Sequence, residues 1–275
     1  MSVNAFGVIF TAVAPPGLGR RRRGPRECET VRLLSASEPG INLKMDESMK
    51  ILSFLFPGFT ALDLIGPTTV WGLMPGAEFQ TVARAPGPVK VDMGLEIVAT
   101  HSFCNCWSAP DVLFVPGGGQ GVYGALQDDE LLDAIARIGS QAKWVTSVCT
   151  GALLLGAAGL TKGYRSACYW YARPHVAKFG AIPDDARVVI DRDRASGGGV
   201  TSGIDFALAM VGKWEGLEKG KLAELLIEYE PQPPFGVGRP ERASPETLAA
   251  AESILKHEMP ATLIEAAARR RGFIG

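Results

Sequence analysis

From Met49 onward the chain alternates short β-rich runs with helical runs, and that alternation constrains the fold more than any other feature. ILSFLF (51–56), FQTVA (79–83), DVLFV (111–115), KWVTSV (143–148) and RVVID (187–191) have strand length and strand composition. LLDAIARIG (131–139), TGALLLGAAGL (150–160) and IDFALAMVGKW (204–214) read as helices. Strands joined through helices need crossover connections, which predicts an α/β fold with a mainly parallel sheet covered on both faces. The segment VKVDMGLEIVATHSF, turning at Asp92 to Gly94, predicts a hairpin appended to that sheet.

The flanks differ from this pattern. Residues 1–48 hold the Pro/Gly-rich basic run PPGLGRRRRGPRE, and their apolar stretch precedes the arginines, the reverse of a secretory signal. They are expected to be a dispensable, disordered extension, with the α/β domain running from 49 to 234. EYEPQPPFGVGRPERASP is Pro/Gly-rich and predicts an irregular connection. Residues 235–275 are then a C-terminal extension with one helix, from about Pro245 to His257, and a short arginine tail.

A chain of 275 residues that is 47% hydrophobic buries a full core, and its formal net charge of −1 creates no global field. The expected partner is a small-molecule substrate, with no nucleic acid and no membrane. The longest uncharged apolar stretch, Val145 to Leu160, is too short to span a bilayer. Five scattered cysteines, Cys28, Cys104, Cys106, Cys149 and Cys168, do not form a secreted disulfide framework, so a cytoplasmic location is expected. Cys104 and Cys106 have one histidine nearby, His101, and lack the second ligand pair of a zinc site; no metal is expected.

In an open α/β sheet, ligands bind beyond the carboxyl ends of the strands. Three stretches reach that edge: FPGFTALDLIGP delivers Asp63, DVLFVP runs into Gly117 to Gly121, and KWVTSV runs into Cys149. A cysteine on a sharp strand-to-helix turn has the mechanics of a nucleophile elbow, and Gly151 and Ala152 are small enough to permit the turn. A helix N-terminus lowers thiol pKa, which predicts that Cys149 is the most acidic of the five thiols. A lone buried cysteine also packs as an ordinary small hydrophobe.

The neighbouring motifs have two readings each. Gly118 and Gly119 bring backbone N–H groups close to a substrate, or simply make a turn. Asp63 caps a helix, or carries a proton at a pKa raised by burial. The histidines are not adjacent to Cys149 in sequence, which leaves Asp63 as the leading proton carrier. Tyr169 and Trp170 line a pocket or anchor the core, and SGGGVTSGIDFAL (196–208) forms a pocket wall or a tight turn.

Together, FPGFTALDLIGP, DVLFVPGGGQGV, TSVCTGALLLGAAGLTKGYR and RASGGGVTSGIDFALA resemble the ThiJ/PfpI superfamily, and within it the isonitrile hydratases, over about Met49 to Pro234. The resemblance implies a flavodoxin-like sheet sandwich and a homodimer. It also implies Cys149 as nucleophile, Asp63 as its acidic partner and Thr150 as the residue following the nucleophile, with no cofactor. Hydration of an isonitrile to a formamide through a covalent thioimidate is the implied reaction. Relatives often carry a His-Trp pair where this chain has Tyr169-Trp170, which bears on substrate range. Two other activities use this domain: glyoxalase-like or stress-response enzymes, and the ligand-sensing half of AraC-type regulators. A basic DNA-binding region is not evident after Pro234.

Overall fold

The computed structural model describes residues 48–275, together with two short strands near the N-terminus. Contacts divide the chain into two compact units, Met1–Asp46 and Glu47–Gly275. In the first, β1 (Ser2–Val3) pairs antiparallel with β2 (Ile9–Phe10). The expectation of a disordered, dispensable extension otherwise falls on residues outside those described.

The second unit is built on seven strands: β3 (Met49–Phe54), β4 (Ala77–Ala83), β7 (His101–Ser102), β8 (Val112–Val115), β9 (Trp144–Val148), β12 (Val188–Asp191) and β13 (Arg194–Gly197). Their order is β12-β13-β9-β8-β3-β4-β7, parallel throughout except for the antiparallel edge pair β12/β13. Helices α1 (Ala61–Trp71), α5 (Ser202–Glu215) and α6 (Leu217–Leu226) pack together as one layer. A second layer holds α2 (Gln120–Leu126), α3 (Asp129–Gly139), α4 (Gly151–Ala157) and α8 (Ala261–Arg270). The predicted mostly parallel sheet flanked by helices is therefore observed.

The central strands are buried on both faces, as parallel strands between helix layers must be, and β8 has no exposed residue. Under α1 and α5, the Phe114 ring meets Trp71 edge-on at 5.4 Å and stacks on Phe206 at 6.2 Å, all three fully buried. Truncating a ring packed on two sides costs about 3–5 kcal/mol. α1 and α5 approach closely because Gly203 has no side chain; a Cβ there would stand 3.2 Å from Pro67 Cδ.

The hairpin forms as β5 (Gly87–Lys90) and β6 (Glu96–Ala99), with Gly94 at φ +81 in its turn. It is a separate two-stranded ladder, and β7, immediately after it, joins the main sheet. Another small ladder pairs β10 (Arg165–Ser166) with β11 (Ile182–Pro183).

Several elements escape the sequence pattern. β13, with sequence RASG, looked like the start of a glycine-rich turn, yet it is a buried strand parallel to β9. Small residues suit it because Gly197 lies against Ser202 Oγ and Phe206 Cβ. Past Pro234 there are two helices, α7 (Pro245–Glu258) and α8, where one was expected. The arginine tail belongs to α8: Arg270 bonds to Gln127 Oε1 at 2.7 Å and Arg271 to Asp133 at 2.8 Å, while Ile264, Ala267 and Ala268 are fully buried. The C-terminal residues thus share the core of this unit. Among the described residues no helix is long and apolar enough to cross a membrane.

Candidate active site

β9 ends at Val148 and α4 begins at Gly151, so the chain reverses direction over Cys149 and Thr150. Cys149 makes that turn at φ +58, a left-handed conformation that costs a non-glycine residue about 1–2 kcal/mol. The strain is held by hydrogen bonds from Cys149 N–H to the Gly198 carbonyl at 2.7 Å and the Gly197 carbonyl at 3.2 Å. Gly151 is required on steric grounds, because a Cβ there would sit 2.2 Å from the Val115 carbonyl oxygen. The sequence therefore folds into the sharp elbow that its spacing predicts, with the Cys149 side chain almost entirely buried.

Asp63 enters from the first turn of α1 and is completely buried. It does not cap that helix: Thr60 is the N-cap residue, without a side-chain cap bond, and the Asp63 carboxylate points instead to the glycine loop. Gly117 N–H donates to Asp63 Oδ2 at 2.9 Å. Oδ1 is buried with no hydrogen-bond partner in good geometry, although the adjacent Cys149 thiol interacts favourably with the carboxylate. Burial dominates and raises the Asp63 pKa to about 7, opposed by the Gly117 N–H and the thiol and reinforced by the negative charge of Asp92.

Gly117 is the spacer between these groups. A Cβ on it would lie 2.6 Å from Thr150 N and 2.8 Å from both Asp63 Oδ2 and Cys149 Cβ. The absence of one side chain is what lets acid and thiol meet. Thr150, also fully buried, ties the loop to the elbow: Gly118 N–H donates to Thr150 Oγ1 at 2.9 Å, and the same hydroxyl donates to the Gly118 carbonyl at 2.7 Å.

That clamp changes what the glycines offer. The Gly118 N–H, expected to face substrate, is committed to Thr150. Gly119, the N-cap of α2, makes no hydrogen bond through its N–H among the described residues, and the space beside its Cα is open. Of Gly117, Gly118 and Gly119, it alone has an uncommitted N–H among the described residues.

The thiol departs from expectation. Burial first, then the charge of Asp63, then Cys168, push the Cys149 pKa well up, and hydrogen bonding from Thr150 only partly opposes them. α4 is seven residues long, and the partial charge at its N-terminus does not outweigh the loss of solvation. Cys149 and Asp63 form one coupled pair in which the thiol keeps its proton and the carboxyl titrates near neutrality.

Tyr169 and Trp170 are half-buried, their rings 5.9 Å apart, in a cleft of about 380 Å³. Its walls include Cys168, Gly198 to Thr201 and the irregular stretch around Val237 to Ala243. Cys149, Asp63, Gly118 and Gly119 do not line this cleft; the link to the elbow is Gly198, whose carbonyl accepts from Cys149 N–H. Burial raises the Tyr169 pKa, and Cys149 is near enough to add to the shift.

Three contributors escaped sequence reading. Cys168 is fully buried within electrostatic reach of Cys149, its own pKa pushed up to about 12. Thr60 Oγ1 donates to Asp92 Oδ2 at 2.7 Å, and Asp92 N–H donates to the Phe59 carbonyl at 3.0 Å, fixing the hairpin turn beside Asp63. The position of Asp92 in the DMG turn was legible, but its partner was not. His101 is engaged with Gln80 and Thr100, and burial, then Lys178, lowers the His175 pKa; neither histidine is among the groups that act on Cys149. Among the described residues no cluster of three or more His, Cys, Asp or Glu side chains suits a metal ion.

Residues 49–213 match the DJ-1/PfpI family. An isonitrile hydratase from Pseudomonas putida is 41% identical over 196 residues, 71% of this chain and 85% of that protein. The crystal structure of a ThiJ/PfpI family protein from Pseudomonas syringae, 39% identical, superposes with a TM-score of 0.80 over 85% of this chain and 97% of that one. An AraC family transcriptional regulator from Pseudomonas putida shares the fold at 23% identity and a TM-score of 0.56, covering 65% of this chain and 99% of that one.

Proposed function

The chain belongs to the DJ-1/PfpI family, and from that premise we propose that it hydrates isonitriles to N-substituted formamides, with Cys149 as nucleophile and Asp63 as proton carrier. The observation that carries this reading is the pairing of a strained elbow cysteine with a fully buried carboxyl whose pKa lies near 7, in a chain 41% identical to an isonitrile hydratase.

An isonitrile carbon accepts a proton and a nucleophile at the same atom. The raised thiol pKa implies that Cys149 does not rest as a thiolate. Asp63, ionised, takes the thiol proton as sulfur attacks and passes it to the same carbon, giving the thioimidate R–N=CH–S–Cys149. Asp63 then accepts a proton from water as its oxygen adds to that carbon. That proton passes to nitrogen; the C–S bond then breaks as the proton of the added hydroxyl moves through Asp63 to the departing sulfur, releasing R–NH–CHO and the Cys149 thiol. Only water is consumed. Thr150 holds the glycine loop through Gly118, the Gly119 N–H is the donor left to stabilise developing negative charge, and Tyr169 and Trp170 receive the substituent R.

Likeness to the regulator shows the fold alone, and the higher identity to the hydratase favours turnover over sensing. The test is incubation of the purified protein with cyclohexyl isocyanide and, separately, with methylglyoxal. Formamide appearing only with Cys149 intact supports the proposal. Lactate formation without formamide would replace it with the glyoxalase reading.

A further inference from the structure

The cleft beside the elbow carries a charge that the hydration chemistry does not use. Arg173 begins a 3₁₀ segment (Arg173–Phe179), and its N–H donates to the Tyr169 carbonyl at 2.8 Å, so the two residues stand one turn apart. Both line the cleft. Arg173 is half-buried, and among the described residues its guanidinium makes no hydrogen bond or ion pair.

Its neighbours are already committed. Asp184, near enough to feel Arg173, is held by Arg165 at 2.7 and 2.5 Å. Arg187, in the same wall, pairs with Asp205 at 2.7 Å. The other charges on the cleft, Asp185, Arg239 and Glu241, are exposed at its rim, where water solvates them. An unpaired guanidinium with five donors in a planar fork, on a half-buried residue beside two aromatic rings, matches a carboxylate attached to an apolar group.

We infer that Arg173 binds the carboxylate of the substrate, so that the natural substrate class is an isocyano acid carrying an apolar or aromatic side chain. The side chain lies along Tyr169 and Trp170, with the isonitrile end toward Gly198, whose carbonyl accepts from Cys149 N–H. This rests on the hydratase reading for the reactive group, while the carboxylate site is defined by the cleft alone.

The test uses product-like ligands that need no turnover. N-formylphenylalanine, the hydration product of an aromatic isocyano acid, is titrated calorimetrically against its carboxamide. The wild-type protein is expected to favour the acid by about tenfold or more, the scale of a charge-assisted bidentate pair. In Arg173→Gln the ratio falls to near one, and Arg173→Lys, which keeps the charge but not the fork, retains part of it. Equal affinity for acid and amide in the wild type, or an undiminished ratio in a folded Arg173→Gln, would overturn the assignment. Failure of the hydratase reading shows separately, as no formamide from any isonitrile while the acid still binds preferentially.

Discussion

Thr150 Oγ1 both accepts from Gly118 N–H, at 2.9 Å, and donates to the Gly118 carbonyl, at 2.7 Å, so one hydroxyl saturates a whole peptide position of the facing loop. Thr150→Val keeps the shape and removes both bonds, leaving a buried N–H and C=O unpaired. Each orphaned group costs about 1–3 kcal/mol. A lower melting temperature and lost turnover are expected together, with Thr150→Ser restoring both. A Thr150→Val protein as stable and active as wild type would show that the clamp is incidental.

Gly117 allows a matched comparison with Gly124. A methyl on Gly117 collides with Thr150 N, Asp63 Oδ2 and Cys149 Cβ, whereas a methyl on Gly124, within α2, meets nothing within 4 Å. Gly117→Ala should separate acid from thiol and abolish turnover. Gly124→Ala should be neutral or stabilise by up to about 1 kcal/mol, as alanine does in a helix. Kinetics and thermal melts of the pair check this, and an active Gly117→Ala protein would show that the spacing is not critical.

The thiols should react in an order set by burial. Cys104 is exposed and Cys149 is buried with a raised pKa, so a maleimide at neutral pH should label Cys104 first. Labelling of Cys149 should quicken as pH rises. It should also quicken in Asp63→Asn, because the carboxylate charge that disfavours the thiolate is gone. Mass spectrometry of peptides from a time course reads the order directly.

Much of the fold was legible because parallel strands buried on both faces must be apolar runs, as VLFV in β8 shows. RASG in β13 was not, because a strand squeezed between β9 and β12 and against α5 needs small residues, and its sequence then looks like a turn. In the site, the elbow followed from local order: strand, cysteine, small residues, helix. The state of its thiol did not, since burial and the charge of Asp63 come from residues 86 or more positions away or from the packed whole. Likewise Gly118 and Gly119 look alike in sequence, and only the Thr150 hydroxyl distinguishes the committed N–H from the free one.

The last prediction separates the cost of burying Asp63 from its use. Its carboxyl pKa rises from 3.8 in the unfolded reference to about 7 in the fold, so the folded state favours the protonated form. That contribution is fully present below about pH 4, fades between 4 and 7, and is lost above 7. At pH 8 the wild-type protein therefore bears the cost of an ionised buried carboxylate, on the order of 4 kcal/mol at most for a shift of this size. Asp63→Asn carries no such charge. Its melting temperature should exceed that of wild type at pH 8, with the gap closing toward pH 4. Turnover should move the other way. Wild-type kcat/KM should climb through a limb near pH 7 as the carboxylate that accepts the Cys149 proton forms, and Asp63→Asn should lose that limb and about 10²-fold or more in rate. A variant more stable at pH 8 yet nearly inactive would identify Asp63 as a group kept for chemistry at the expense of stability. One that stays active, with the limb intact, would assign the proton to another group.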